Sequence, residues 1–113
     1  MKEKIAKVKV KDVAQSPQKL RLVVDTIREK NADKALDILE FLNKKGSLIV
    51  KKALLSGIAN ARELYNVDKD ALVISKACVD EARTLKRARF QSRGKVGRNY
   101  KRRSNLNLEL KVK

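Results

Sequence analysis

Near its start the chain alternates. Ala6, Val8 and Val10 are apolar, and Lys7, Lys9 and Lys11 stand between them. A period of two puts the two sets on opposite faces of a strand. The lysine face is either solvated or in contact with phosphate. From Ser16 the period changes: Leu20, Val23, Val24 and Ile27 recur at helical spacing, with Lys19, Arg21 and Arg28 off that stripe. Ser16-Pro17 reads as the helix start, the serine offering its hydroxyl as N-cap and the proline fitting a first position whose N–H has no helical partner. Asn31 caps a second, shorter helix with Ala35, Leu36, Leu39 and Leu42 inward. Asp33, Lys34, Asp37 and Glu40 form its outer face. That mixed face reads as solvated surface rather than as a pair of catalytic carboxylates.

The third and longest helix runs from Asn43 to about Tyr65, with Val50, Ala53, Leu54, Gly57, Ile58, Ala61 and Leu64 as its inward stripe. Glycine in a helix interior costs about 1 kcal/mol against alanine, so Gly57 implies a close neighbour. Lys44, Lys45, Lys51 and Lys52 crowd the first two turns, where cations oppose the helix dipole. They are either a tolerated surface or the seat of an anion. Asn66 to Asp70 is a turn. Leu72, Ile74 and Val79 belong to a second strand, Val73 suggests cover on more than one side, and Cys78 reads as a small buried apolar residue there. At the far end Leu106, Leu108, Leu110 and Val112 alternate with Asn107, Glu109 and Lys111, the cleanest strand in the chain.

Two good strands therefore flank the stretch from Ala82 to Arg103. Ten of its residues are Lys or Arg: Arg83, Lys86, Arg87, Arg89, Arg93, Lys95, Arg98, Lys101, Arg102 and Arg103. None is acidic, and only Leu85, Phe90, Val96 and Tyr100 are large and apolar. So little apolar area does not offset the entropy of ordering the segment, which needs a densely negative partner. Seven of the ten are arginine, which suits planar, bidentate recognition of phosphate and stacking on bases. The simplest connection is an antiparallel hairpin centred near Ser92 to Gly94, with Gly94 and Gly97 free to bend it. At about 3.3 Å per residue each arm reaches roughly 40 Å, so the outer half must project. The expected fold is α+β: three helices packed on one face of a three-stranded antiparallel sheet, with a long projecting β-hairpin. Residues 1–113 form a single domain, of which 82–103 is the extended basic hairpin.

Charge sharpens this picture. The formal net charge is +16. From Ala82 onward there are 12 basic residues and 1 acidic residue, against 17 and 12 before it. An excess gathered at one end is expected when one surface faces a polyanion. The run is not an amphipathic basic helix, which weighs against a membrane partner. One cysteine and no histidine leave neither a disulfide, a metal cluster nor a nucleophile–base pair, so no enzyme, metal or cofactor is expected. With no apolar run of membrane-spanning length and no apolar leader after Met1, a soluble cytoplasmic protein is expected.

Several segments resemble, in order, the bacterial large-subunit ribosomal protein family twenty-two. They are Ser16-Pro17-Gln18-Lys19 with Arg21-Leu22-Val23, then Ala35-Leu36-Asp37-Ile38-Leu39, Ala59-Asn60-Ala61, and Val79-Asp80-Glu81 followed by Lys86-Arg87. Lys101-Arg102-Arg103-Ser104 is similar to the family's closing motif. The resemblance implies a structural constituent of the large ribosomal subunit that binds 23S-type rRNA and organises several rRNA segments during assembly. It implies that the tip of the hairpin lines the peptide exit tunnel, where changes can alter macrolide susceptibility. Carried over by position, Ser16, Lys19, Arg21, Lys44 and Lys45 would contact rRNA from the globular part, and Arg83 through Arg103 from the hairpin. Lys86, Arg87, Ala88, Arg89, Phe90, Gln91, Ser92 and Arg93 would lie at or near the tunnel tip. The implied partners are rRNA, neighbouring large-subunit proteins and the nascent peptide, with the chain a monomer within the ribosome.

The chain departs from the family where Ala82-Arg83 replaces a usual Gly-Pro, where Asn105 replaces a histidine, and where Phe90-Gln91-Ser92 replaces a proline near the tip. Phe90 and Tyr100 are candidates to stack on unpaired bases, at about 1–3 kcal/mol each. The competing reading is an architectural DNA-binding protein with a β-ribbon arm.

Overall fold

The strand written last in the sequence lies in the middle of the sheet. In a computed structural model that describes residues 4–83, 85–90 and 96–113, and the backbone alone of 85–90 and 96–101, β5 (Ser104–Val112) pairs antiparallel with β1 (Ile5–Val13) on one side and β2 (Leu72–Glu81) on the other. The register sets Val8 opposite Leu108 in one pairing and Ala77 opposite Leu108 in the other. Alternation along β5 buries Leu106, Leu108 and Leu110, each at most 1% exposed, on one face. The helices α1 (Pro17–Asp25), α2 (Ala32–Phe41) and α3 (Lys45–Tyr65) cover that face. Ala6 and Val8 from β1, Leu72, Ile74, Ala77 and Val79 from β2, and Leu20, Val23, Val24, Ile27, Val50, Leu54 and Ile58 from the helical side complete one core.

Gly57 shows how close the layers come. A Cβ built there would lie 2.8 Å from both Val8 Cγ2 and Leu110 Cδ1. The glycine lets α3 press onto the seam between β1 and β5. At its end α3 stops at Asn66, whose N–H keeps the last helical bond to the Arg62 carbonyl and whose left-handed backbone (φ 54°) turns the following chain out of the helix. A 3₁₀ turn, Lys69–Ala71, then leads into β2. Asp68 starts that turn by accepting from the Lys69 N–H at 2.8 Å and pairing with Arg62 at 2.8 Å. These two contacts hold its carboxyl below the usual carboxylate range, the backbone N–H first and the guanidinium second.

The edge strand β2 is closed by the segment that leaves α1. Glu29 N–H donates to the Ile74 carbonyl at 3.2 Å, and Ile74 N–H to the Lys30 carbonyl at 3.0 Å. Arg28 Nη2 and Arg21 Nη2 then donate to the carbonyls of Ala77 and Val79, each at 2.9 Å. The Ile74 N–H and the carbonyls of Ile74, Ala77 and Val79 on the edge strand are thereby satisfied without another strand.

Beyond this body β3 (Leu85–Phe90) and β4 (Val96–Lys101) pair antiparallel with each other, Leu85 opposite Lys101 and Phe90 opposite Val96. They extend the direction of β2 and β5, and the molecule measures 64 × 29 × 18 Å along its principal axes. The expected α+β arrangement of three helices, a three-stranded antiparallel sheet and a paired basic ribbon is the one observed. The expected turn near Ser92 to Gly94 lies outside the described residues.

Four local expectations need correction. α3 begins at Lys45 with Lys44 at the N-cap, not at Asn43. Neither Ser16 nor Asn31 makes a side-chain capping bond, although both occupy the N-cap. Leu64 is 65% exposed, and its neighbour Tyr65 meets the sheet instead, its hydroxyl donating to the Ile5 carbonyl at 3.0 Å. Cys78 is half-buried rather than core, since it alternates with the buried Ala77 and Val79 and so points to the uncovered face.

Substituting Gly57→Ala is expected to lower stability by about 1–2 kcal/mol, as overpacking at the seam outweighs the gain in helix propensity. Urea unfolding with an unchanged m-value would read this as a lower midpoint. A higher midpoint would mean that Val8 and Leu110 yield freely.

Candidate nucleic-acid interface

Three segments distant in sequence meet where the hairpin leaves the body. They are the loop from β1 to α1, the first turn of α3 and the strand junction at Arg102-Arg103. A bond from the Ala82 N–H to the Arg103 carbonyl, 3.0 Å, carries the ladder across the root of the hairpin. Arg103 Nη2 donates to the Asp12 carbonyl at 2.7 Å, and Ser104 Oγ donates to the Gln15 carbonyl at 2.6 Å. Asp12, at φ 56°, sits in a bulge between Val10 and Val13, and its N–H donates to Asn105 Oδ1 at 3.1 Å. The bulge turns the chain toward α1, so that the loop 14–16 faces the strand junction.

Two cavities open at this meeting point. One, of about 420 Å³, is lined by Ala14, Gln15, Ser16, Lys19, Lys45 and Arg102. The other, of about 510 Å³, is lined by Ser16, Pro17, Gln18, Arg21, Glu81 and Arg102. Ser16 and Arg102 belong to both. Lys45 Nζ rests 3.4 Å from the Ala14 carbonyl, which places its ammonium at the first cavity. Among the described residues neither Lys19 nor Arg102 makes an ion pair.

The structure thus gathers Ser16, Lys19, Arg21, Lys45, Arg102 and Arg103 from the set expected to contact RNA. Lys44 is exposed one residue before Lys45, and Arg83 is exposed just past β2. Arg21 has a second task, since Nε and Nη2 both hold the Val79 carbonyl, at 3.1 and 2.9 Å. Lys86, Arg87, Ala88, Arg89 and Phe90 lie along β3, and Arg98 and Lys101 along β4, with Lys86 opposite Tyr100, Arg87 opposite Asn99 and Ala88 opposite Arg98. Gln91, Ser92, Arg93 and Lys95 lie outside the described residues. Sequence reasoning missed Gln15, whose carbonyl anchors Ser104 and whose side chain lines the first cavity. No spacing marks it, because its role exists only once β5 lies beside the β1–α1 loop.

The arrangement gathers cations from three parts of the chain around two cavities. Among the described residues no group of three or more His, Cys, Asp or Glu side chains could hold a metal ion. Lys19, Lys45 and Arg102 at the junction are exposed, and the paired ribbon carries more cations beyond it. A family model described as Ribosomal protein L22p/L17e matches residues 8–111. The chain belongs to that family. A curated relative, the large ribosomal subunit protein uL22 of Oceanobacillus iheyensis, is 46% identical over 101 residues, which cover 89% of each chain. Membership makes this a protein of the large ribosomal subunit, a cytoplasmic ribosome component, and selects the ribosomal reading over that of a DNA-binding ribbon.

Arg21→Gln is expected to lower stability by about 1 kcal/mol, because the Val79 carbonyl loses a charged donor. Lys19→Gln and Lys45→Gln should stay within about 0.5 kcal/mol of the parent. Urea midpoints for the three variants separate the cation that holds the fold from those that do not. Equal losses at all three would contradict the assignment.

Proposed function

We propose that the chain binds 23S-type rRNA as a structural constituent of the large subunit, organises several rRNA segments during assembly, and lines the peptide exit tunnel with the tip of its hairpin. The observation that supports this most is the ribbon β3–β4. An isolated two-stranded hairpin is at best marginally stable in water. This one carries five Lys or Arg in its two described strands and no carboxylate. Repulsion among those charges opposes the pairing until an anion is supplied. A folded RNA supplies it on all sides.

Contact with RNA would run mainly through phosphates, 2′-hydroxyls and shape, because the deep groove of an RNA duplex hides its bases. The globular part adds Ser16, Lys19, Lys44, Lys45, Arg102 and Arg103 at the hairpin root, with Arg83 beside them. The inner end of the arm, from Lys86 through Arg93, is assigned to the tunnel wall, where nascent peptide and neighbouring large-subunit proteins are its partners. The mechanism is scaffolding: rRNA segments fold around one arm, and the arm becomes ordered as they do.

Deleting residues 85–98 should leave a folded body, because β1, β2, β5 and the helices make the core without them. The shortened protein is expected to bind large-subunit rRNA more weakly and with a shallower dependence of log affinity on log salt. Filter binding across a salt series, beside circular dichroism, reads both. Loss of the helical signal, or an unchanged salt slope, would contradict this division between body and arm.

A further inference from the structure

We infer that the cavity at the hairpin root is a clasp for a single RNA backbone phosphate, held jointly by Lys19, Lys45 and Arg102. The inference rests on the rRNA-binding reading and deepens it by naming the group bound and the place. Three cations from three separate parts of the chain line one cavity of about 420 Å³, and its lining includes no carboxylate. Glu81 lines the adjacent cavity instead. Lys45 is already oriented by the Ala14 carbonyl, with its remaining donors available. Arg102 presents a planar fork suited to two phosphate oxygens.

Two further observations agree. The ends of α1 and α3 that meet here have no side-chain cap at Ser16 or Lys44, and neither helix has an acidic residue in its first turn. Their free N–H groups and positive dipole ends therefore remain uncompensated. Around the same point three buried side-chain atoms find no hydrogen-bond partner: Gln15 Oε1, Ser47 Oγ and Arg103 Nε. Ser47 is only 4% exposed and stands two residues after Lys45. Buried polar atoms are ordinarily satisfied, so this corner is polar beyond what the fold itself requires.

The consequence is mechanical. Arg102 lies between β4 and β5, Lys19 on α1 and Lys45 on α3. A phosphate held by all three ties the hairpin root to two helices of the body and fixes the direction in which the arm leaves it. Lys45 and Arg102 then act on one ligand group rather than two.

The test measures affinity of the full chain for deproteinised large-subunit rRNA across a potassium chloride series. It compares the parent with Lys45→Gln, Arg102→Gln, the double variant and Lys34→Gln, an exposed lysine on α2 away from the clasp. Each single change at the clasp is expected to weaken binding about fivefold. The double variant should lower the salt slope by about one unit rather than two, with Lys34→Gln close to the parent and helical circular dichroism unchanged throughout. Additive losses with a two-unit change in slope would overturn the single clasp, as would clasp variants indistinguishable from Lys34→Gln. A parent that bound rRNA no better than duplex DNA of equal length would instead overturn the rRNA reading on which the clasp rests.

Discussion

Everything in this molecule depends on the docking of β5 between β1 and β2. Its three leucines, Leu106, Leu108 and Leu110, are the middle of the core, and Leu110 packs where Gly57 lets α3 approach. Because β5 comes last in the chain, the sheet closes only when residues about a hundred positions apart come together, an entropic cost met by burial along the whole strand. The same strand follows β4 directly, across the Arg102-Arg103 junction. The arm that carries the basic residues is therefore anchored in the hydrophobic centre of the body, and its root is held by the bonds of Arg103 and Ser104 to the β1–α1 loop.

The cations divide into two kinds. Arg21 and Arg28 close the edge of β2 by donating to Val79 and Ala77, and Arg62 pairs with Asp68. Others at the hairpin root, Lys19 and Arg102, are exposed and make no ion pair among the described residues. A net charge of +16 on 113 residues works against compaction through self-repulsion. That burden is intelligible where the excess is neutralised by the partner rather than within the chain.

Much of this was legible in the sequence, for physical reasons. Period two in β1 and β5 and helical spacing in α1 to α3 report burial directly, and Gly57 announced a close contact through its cost in a helix. The α+β class and the paired basic ribbon followed from these patterns. What failed was what depends on angle or on neighbours. Leu64 fits the helical stripe, but in the last turn of α3 it is Tyr65 that reaches the sheet, its hydroxyl donating to the Ile5 carbonyl. Ser16 and Asn31 have the right chemistry for caps without turning back to form them. The bonds of Arg21 and Arg28 require knowing that β2 is an edge, and strand order is not written in periodicity. The cavity at the root joins Gln15, Lys45 and Arg102, which no local window contains.

The most direct measurement of the central claim is sedimentation of a lysate, following this chain before and after a high-salt wash. A protein whose basic arm is embedded in rRNA should co-migrate with the large subunit and stay there through the wash, because buried contacts are screened far less than a surface patch. Release by salt to the top of the gradient, or migration with DNA, would contradict it.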